Sequence, residues 1–258
     1  MSDPLPLSLI VITRDAAVDL AACIASAPFA AETVVVDSGS RDDTVAVARR
    51  AGARVVDHAF EGYGAQKNFA VAQATHDWVL CIDADERVSP ALADAIRALF
   101  ATGAPAAAGY AMARRNRFLG RWLSHGEGYP DWIVRLFDRR RARWSSDKVH
   151  EKVVADGPVE RVGGDLMHAS AESIDAYIAK QNRYTTMQAE AMHASGETAS
   201  ALRLATSPAA RFFRFYVVKL GFLDGAAGFA HIAIGAFASF LKYAKLRALA
   251  VRARVETE

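Results

Sequence analysis

Asp83, Asp85 and Glu86 crowd the end of an apolar run, Trp78-Val-Leu-Cys-Ile82, and carboxylates packed this closely call for a cation. If the backbone stays extended, Asp83 and Asp85 project to the same side. Like charges at that separation raise each other's pKa unless a positive charge lies between them. A divalent ion with oxygen ligands, itself holding a diphosphate, would resolve the conflict. The plainer alternative has Asp85 capping the next helix and Glu86 solvated, with Ser89-Pro90 as the helix start. Upstream, Asp37 could accept hydrogen bonds from a ribose hydroxyl or a base N–H. Asp37-Ser-Gly-Ser40 also reads as an Asx-turn leading into a helix. Lys67, within Gln66-Lys-Asn68, could answer a phosphate or simply snorkel along the surface.

Strands must position these groups. Residues 7–12, 32–37, 54–57 and 78–82 are short runs rich in strand formers, and the fourth is apolar throughout, as a strand covered on both faces should be. Helices are expected between them, ending near Pro28, starting at Asp42 or Asp43 and stopped by Gly52, then over 66–74 and 90–100. Steady alternation of strand and helix implies parallel βαβ units and a doubly wound α/β sheet. Asp15, Asp37, Asp57, Asp83 and Asp85 would then share the C-terminal edge of the strands, where open α/β sheets bind ligands. The first strand lacks Gly-x-Gly-x-x-Gly, which argues against a dinucleotide cradle and a Rossmann oxidoreductase.

Val11-Ile-Thr-Arg-Asp15, Val36-Asp-Ser-Gly-Ser40, Gln66-Lys-Asn68 and Asp83-Ala-Asp-Glu86 fall in the order and spacing of the family 2 glycosyltransferases. Within that family the chain most resembles the bacterial lipopolysaccharide-core glucosyltransferases, although many of them carry Asn-Glu where this chain has Arg14-Asp15. The resemblance implies a GT-A fold, a Rossmann-like, doubly wound mixed sheet with a C-terminal helical appendage. It implies that Thr13, Asp15 and Asp37 hold the base and ribose of a nucleotide-sugar, a UDP-hexose, with Lys67 nearby. Asp83 and Asp85 would serve Mg²⁺ or Mn²⁺ and the diphosphate.

Residues from 104 onward should receive the acceptor. Runs 109–113 and 132–137 read as strands, with a basic, aromatic stretch between them. Inverting sugar transfer needs a carboxylate to take the proton of the acceptor hydroxyl, and Glu151 and Asp131 are the candidates. Val149-His-Glu-Lys152 also occurs in the similar glucosyltransferases, and His150 could be a third metal ligand. An ordinary hydrogen-bonded turn is the other reading of that pair. His168 reads as a satisfied core histidine.

With 258 residues, 52% hydrophobic, the chain can bury one large core and an appendage. The expected division is a transferase domain over 1–172, with a donor half to 103 and an acceptor half from 104, then a helical appendage over 173–258. No signal peptide is expected, and Cys23 and Cys81, both in apolar runs, suggest a reducing compartment. The net charge of +2 conceals an asymmetry: 203–254 holds nine Lys/Arg against one acid, Asp224, and the remainder is net −6. Seven of the 13 phenylalanines fall between Phe212 and Phe240. The expectation is an interfacial helix pair, aromatics in the bilayer and basic residues on anionic headgroups, since packing alone gives no reason for such a charge. The whole reads as a cytoplasmic enzyme attached peripherally to the inner membrane, acting on a lipid-linked glycan, with no nucleic acid partner. A catalytically silent nucleotide- or lipid-binding scaffold is the alternative.

Overall fold

The computed structural model describes residues 3–145, 151–169 and 173–255. Two compact units divide the chain, one of residues 1–115 and 131–169, the other of residues 116–130 and 170–258.

The first unit is α/β. Its elements are β1 (Leu5–Thr13), α1 (Ala17–Ala25), β2 (Ala30–Asp37), α2 (Thr44–Arg50), β3 (Arg54–Asp57), α3 (Tyr63–Ala72), β4 (Trp78–Asp83), β5 (Glu86–Val88), α4 (Pro90–Phe100) and β6 (Gly109–Phe118). After the short β7 (Arg121–Trp122), which belongs to the second unit, come β8 (Asp131–Asp138), β9 (Ala142–Trp144), β10 (Val153–Ala155) and β11 (Val159–His168). Among the described residues one sheet has the order β3-β2-β1-β4-β8-β6-β11-β5. β1 to β4 run parallel, as their alternation with helices requires, whereas β8 is antiparallel to β4 and β6 to β8. The sheet is therefore mixed and doubly wound. Leu7, Leu9 and Val11 of β1 pack with Leu20 of α1 and Leu92 of α4 on one face. Ile10 joins Ala70 and Val71 of α3 on the other. That alternation is the period-2 geometry of a strand covered on both sides. Cys23 and Cys81 are free and buried, and burial raises both thiols, Cys81 to about 11, so neither is a nucleophile at neutral pH.

Two local differences from expectation bear on the site. α3 begins at Tyr63, three residues earlier than the sequence suggests, after Gly62 at φ +116°. Gly64 lets its first turn approach Ser145: a Cβ there would lie 2.2 Å from the Ser145 carbonyl oxygen. The strand ending in Asp83 does not stay extended. Ala84 and Asp85 form a two-residue turn, and Glu86 opens β5.

The second unit holds 116–130 with the C-terminal helices, not with the acceptor half as the sequence suggests. Hydrogen bonds explain this grouping, because the Ser124 and His125 N–H groups donate to Asp224 and the Arg121 guanidinium donates to the Leu223 carbonyl. α5 (Ile174–Ala194) and α6 (Ala201–Phe213) start at Ser173 and Ser200, whose hydroxyls accept from the backbone three residues on. α7 (Gly225–Val255) packs along both. Residues 221–253 are long and apolar enough to cross a membrane by composition, and 44% of that apolar window is buried. Several basic residues counted toward the tail's charge fasten this unit. Lys245 Nζ lies 2.7–2.8 Å from four oxygens, the Asn182 carbonyl and side chain and the Thr185 and Thr186 hydroxyls, among which it shares its three N–H donors. Arg247 donates to the Ala199 carbonyl, and Arg211 pairs with Glu127. Packing therefore does account for part of the excess positive charge.

Candidate active site

At the C-terminal end of β4, Asp83 meets two cations. Its Oδ2 accepts from Arg135 of β8 at 2.6 Å, and its Oδ1 lies 3.2 Å from Lys67 Nζ of α3. Burial alone would raise this carboxyl. Arg135 and Lys67 more than reverse that and hold it well below the usual carboxylate range. Glu86 is fully buried, not solvated. It accepts from Arg135 at 2.8 Å and from the Asp83 N–H at 3.0 Å, and Arg114 of β6 lies 3.5 Å away.

Asp85 goes its own way. The turn at Ala84-Asp85 sends its carboxylate to His168 at the end of β11, at 3.2 Å. Burial opposes ionisation and Asp83 adds repulsion, yet the hydrogen bond and charge of His168 bring Asp85 below its ordinary value. Asp83 and Asp85 therefore do not share one counter-ion: Arg135 and Lys67 answer the first, and His168 hydrogen-bonds the second. Asp85 does not cap α4. Ser89 does, accepting from the Leu92 N–H at 3.2 Å.

Thr13 and Asp37 end β1 and β2, and the loops that follow them, Asp15 in the first, are stitched together. Asp37, 4% exposed, accepts from the Gly39 and Ser40 N–H groups, which is an Asx-type turn. The Ser40 hydroxyl in turn accepts the Asp15 N–H, and Asp15 Oδ1 accepts from the Arg41 N–H at 2.7 Å. Asp15 sits at φ +51°, a conformation that these contacts maintain. The Thr13 hydroxyl is buried and finds no partner among the described residues. Asp57, at the end of β3, is exposed and paired in register with Asp37.

The Gln66-Lys67-Asn68 stretch turns out to be a clamp. Gln66 donates to the Ser38 hydroxyl and the His58 carbonyl, bracing the Asp37 turn from below. Asn68 exchanges two 3.0 Å hydrogen bonds with the Trp144 backbone. Lys67 between them is only 3% exposed, lies over the Trp144 ring at 4.4 Å, and reaches Glu151 at 3.1 Å as well as Asp83. It is no snorkelling surface lysine. Of the two candidate bases, Glu151 therefore joins the Asp83 cluster. Asp131 is held by Arg114, whose Nε and a terminal nitrogen both donate to Asp131 Oδ2, at 3.0 and 2.6 Å. His150 lies outside the described residues.

Sequence reasoning passed over Arg135 and Arg114 in the site, left Glu86 without a site role of its own, and read His168 as a core histidine. Arg135 stands inside an apolar strand, Trp132-Ile-Val-Arg-Leu-Phe137, and a buried arginine in such a run needs an acid opposite it. That was the available signal. His168 carried none beyond closing a strand.

The donor set can be tested against a divalent cation. Among the described residues no group of three or more His, Cys, Asp or Glu side chains could hold a metal unaided. Asp85, 40% exposed at its side chain, with His168 beside it, fits an ion that brings phosphate and water as its other ligands, the usual habit of Mg²⁺. Both Asp83 oxygens are already engaged, so Asp83 is less free to ligate than Asp85.

The profile of glycosyl transferase family 2 matches residues 8–155. The lipopolysaccharide core biosynthesis glycosyltransferase LpsC of Rhizobium meliloti is 34% identical over 253 residues, 95% of this chain and 93% of that protein. An uncharacterized glycosyltransferase of Rickettsia typhi is 32% identical over 96% of this chain and 89% of its own length. Among solved structures, glucosyl-3-phosphoglycerate synthase from Mycobacterium tuberculosis, in complex with Mg²⁺ and uridine diphosphate, overlays with a TM-score of 0.47 at 17% identity. That overlay covers 75% of this chain and 80% of the other.

Proposed function

The chain belongs to glycosyltransferase family 2, and on that premise we propose that it moves a hexose from a UDP-hexose to a lipid-linked glycan of the lipopolysaccharide inner core, inverting the anomeric centre. The likeness to LpsC supports the acceptor class. One observation carries the site assignment. A single buried ammonium, Lys67, lies 3.2 Å from Asp83 and 3.1 Å from Glu151, so the donor-edge carboxylate and the candidate base are held within one side chain's reach.

Glu151 takes the proton of the attacking hydroxyl, a role that needs a carboxylate close to the reacting centre and on the acceptor's side. Asp131, clamped by two Arg114 N–H groups and making no contact with Lys67 or Asp83 like that of Glu151, is the weaker candidate. The free Thr13 hydroxyl, Asp15 and the turn shaped by Asp37 receive the base and ribose. Lys67 and Arg135 keep Asp83 ionised and fixed beside the diphosphate. Mg²⁺ or Mn²⁺, held by Asp85 with His168, would offset charge on the departing diphosphate. The lipid of the acceptor implies peripheral attachment to the cytoplasmic face of the inner membrane.

Calorimetric titration of the full chain with UDP, with and without Mn²⁺, tests the donor half. Metal-dependent UDP binding is expected, and Asp85→Asn should abolish the metal dependence while leaving the fold intact. Metal-indifferent affinity in both proteins, or a preference for NAD, would overturn the reading. A screen of UDP-hexoses against purified core acceptor tests the other half.

A further inference from the structure

Between α6 and α7 the chain turns through a π-helical stretch, Arg214–Val218, and a 3-10 turn, Gly221–Asp224. Val217, Val218, Leu220, Phe222 and Leu223 stand 44–62% exposed along this turn. Scattered apolar side chains on a surface need no explanation, but a contiguous set marks an interaction site.

The turn is braced from behind. Asp224, 2% exposed, accepts from the Ser124 and His125 N–H groups at 2.9 and 2.8 Å, and the Gly126 N–H donates to the Lys219 carbonyl at 2.9 Å. Gly221 approaches so closely that a Cβ would lie 2.7 Å from the Phe215 carbonyl oxygen. Leu220 takes φ +55°, a costly conformation for a bulky side chain that its surroundings must impose. Folding back to bury these side chains would give up that bracing. Along the turn itself the exposed charge has one sign, and the neighbouring Glu127 is paired with Arg211. Arg214 and Lys219 are exposed, and the one acid between 213 and 229, Asp224, is buried and fully engaged.

We propose that this turn is a membrane-insertion element whose partner is an anionic lipid bilayer. Apolar side chains enter the boundary between headgroups and acyl chains, and Arg214 and Lys219 remain at the anionic headgroups. A second copy of the chain fits less well, since a two-fold contact would set Arg214 and Lys219 against their own copies. Insertion is by the tip, where Arg214 and Lys219 flank the apolar side chains; α7 also exposes Phe229, Phe237 and Phe240, but its Lys245 and Arg247 are spent on internal bonds. The inference rests on the lipid-linked reading of the acceptor for its purpose, but its test does not.

Co-sedimentation of the full chain with phosphatidylcholine vesicles, with and without phosphatidylglycerol, is the experiment. The chain should pellet with the anionic vesicles. Val218→Ser, Phe222→Ser and Leu223→Ser combined should weaken partitioning at least about 100-fold, because each apolar side chain withdrawn from lipid costs roughly tenfold. Phe237→Ser on α7, where the side chain is 54% exposed, should leave partitioning unchanged. An unaltered melting temperature in the triple variant separates lost binding from lost folding. Binding lost with Phe237→Ser and kept by the triple variant would move the contact to α7 and overturn the proposal. A full chain that stays in the supernatant would overturn it too, and self-association abolished by the triple variant would then assign the turn to a second copy. Pelleting is read without donor or acceptor, so failure of the proposed transfer reaction would show separately.

Discussion

At Lys67 one ammonium answers two carboxylates, with Trp144 beneath it. A lysine this buried persists only because it is paired, and removing either partner would leave charge uncompensated. Glu151→Gln preserves shape and hydrogen bonding but cannot accept a proton. Its turnover should fall by two or more orders of magnitude, with UDP affinity nearly unchanged. Asp131→Asn should cost less, because Asp131 is paired with Arg114 and does not share the Lys67 ammonium with Asp83 as Glu151 does. Steady-state kinetics of the two variants decide between them, and a crippled Asp131→Asn beside a normal Glu151→Gln would reverse the assignment.

The elements around the site are held by polar fastenings as much as by the core. Glu32 of β2 is one of these, accepting from Ser8 of β1 at 2.6 Å, from the Thr75 N–H and hydroxyl at 2.9 Å, and from Arg54 of β3 at 2.8 Å. Partial burial opposes its ionisation, but the bonds from Ser8, Thr75 and Arg54 win and lower the carboxyl from 4.5 to about 2. A carboxyl depressed by folding stabilises above its unfolded pKa, and the stabilisation disappears as pH falls through the folded one. Glu32 should therefore contribute fully above pH 4.5 and lose its contribution by about pH 2, an amount on the order of 3 kcal/mol. Urea unfolding of Glu32→Gln should show lower stability at neutral pH and a shallower acid slope across that window. An unchanged slope would mean that the other depressed carboxyls dominate.

On the scale of the whole molecule, two compact units share the chain. Every candidate for catalysis lies in the first. In the second, Asp224 joins the 116–130 segment to the turn before α7. Asp224→Ala would take the acceptor from two half-buried N–H groups, costing up to about 1–3 kcal/mol for each unsatisfied donor. At 2–4 °C per kcal/mol for a chain of this size, the melting temperature should drop by roughly 5 °C or more. UDP affinity should hold. A variant that melts normally would show that the turn is braced elsewhere, whereas one that loses UDP binding would show that the units depend on each other.

How much of this was legible in the residues themselves follows from the range of the forces involved. Strand period, helix spacing and Ser-Pro caps are local, so β1 to β4, α4 and the start of α5 could be read directly from the chain. The four motifs in register identified the family for the same reason, since each is contiguous. Three features were invisible because they depend on partners far away in sequence. Asp83 and Asp85 looked like two like charges in need of an ion, but β8 and β11 bring Arg135 and His168 to them, 52 and 83 residues further on. The Lys67–Glu151 pair spans 84 residues. The basic tail looked like an interfacial helix pair with its Lys and Arg on headgroups, yet α5 supplies oxygens that absorb Lys245. A sequence states which charges exist. Only the fold decides which of them remain for a ligand or a membrane, because pairing is a property of distance in space.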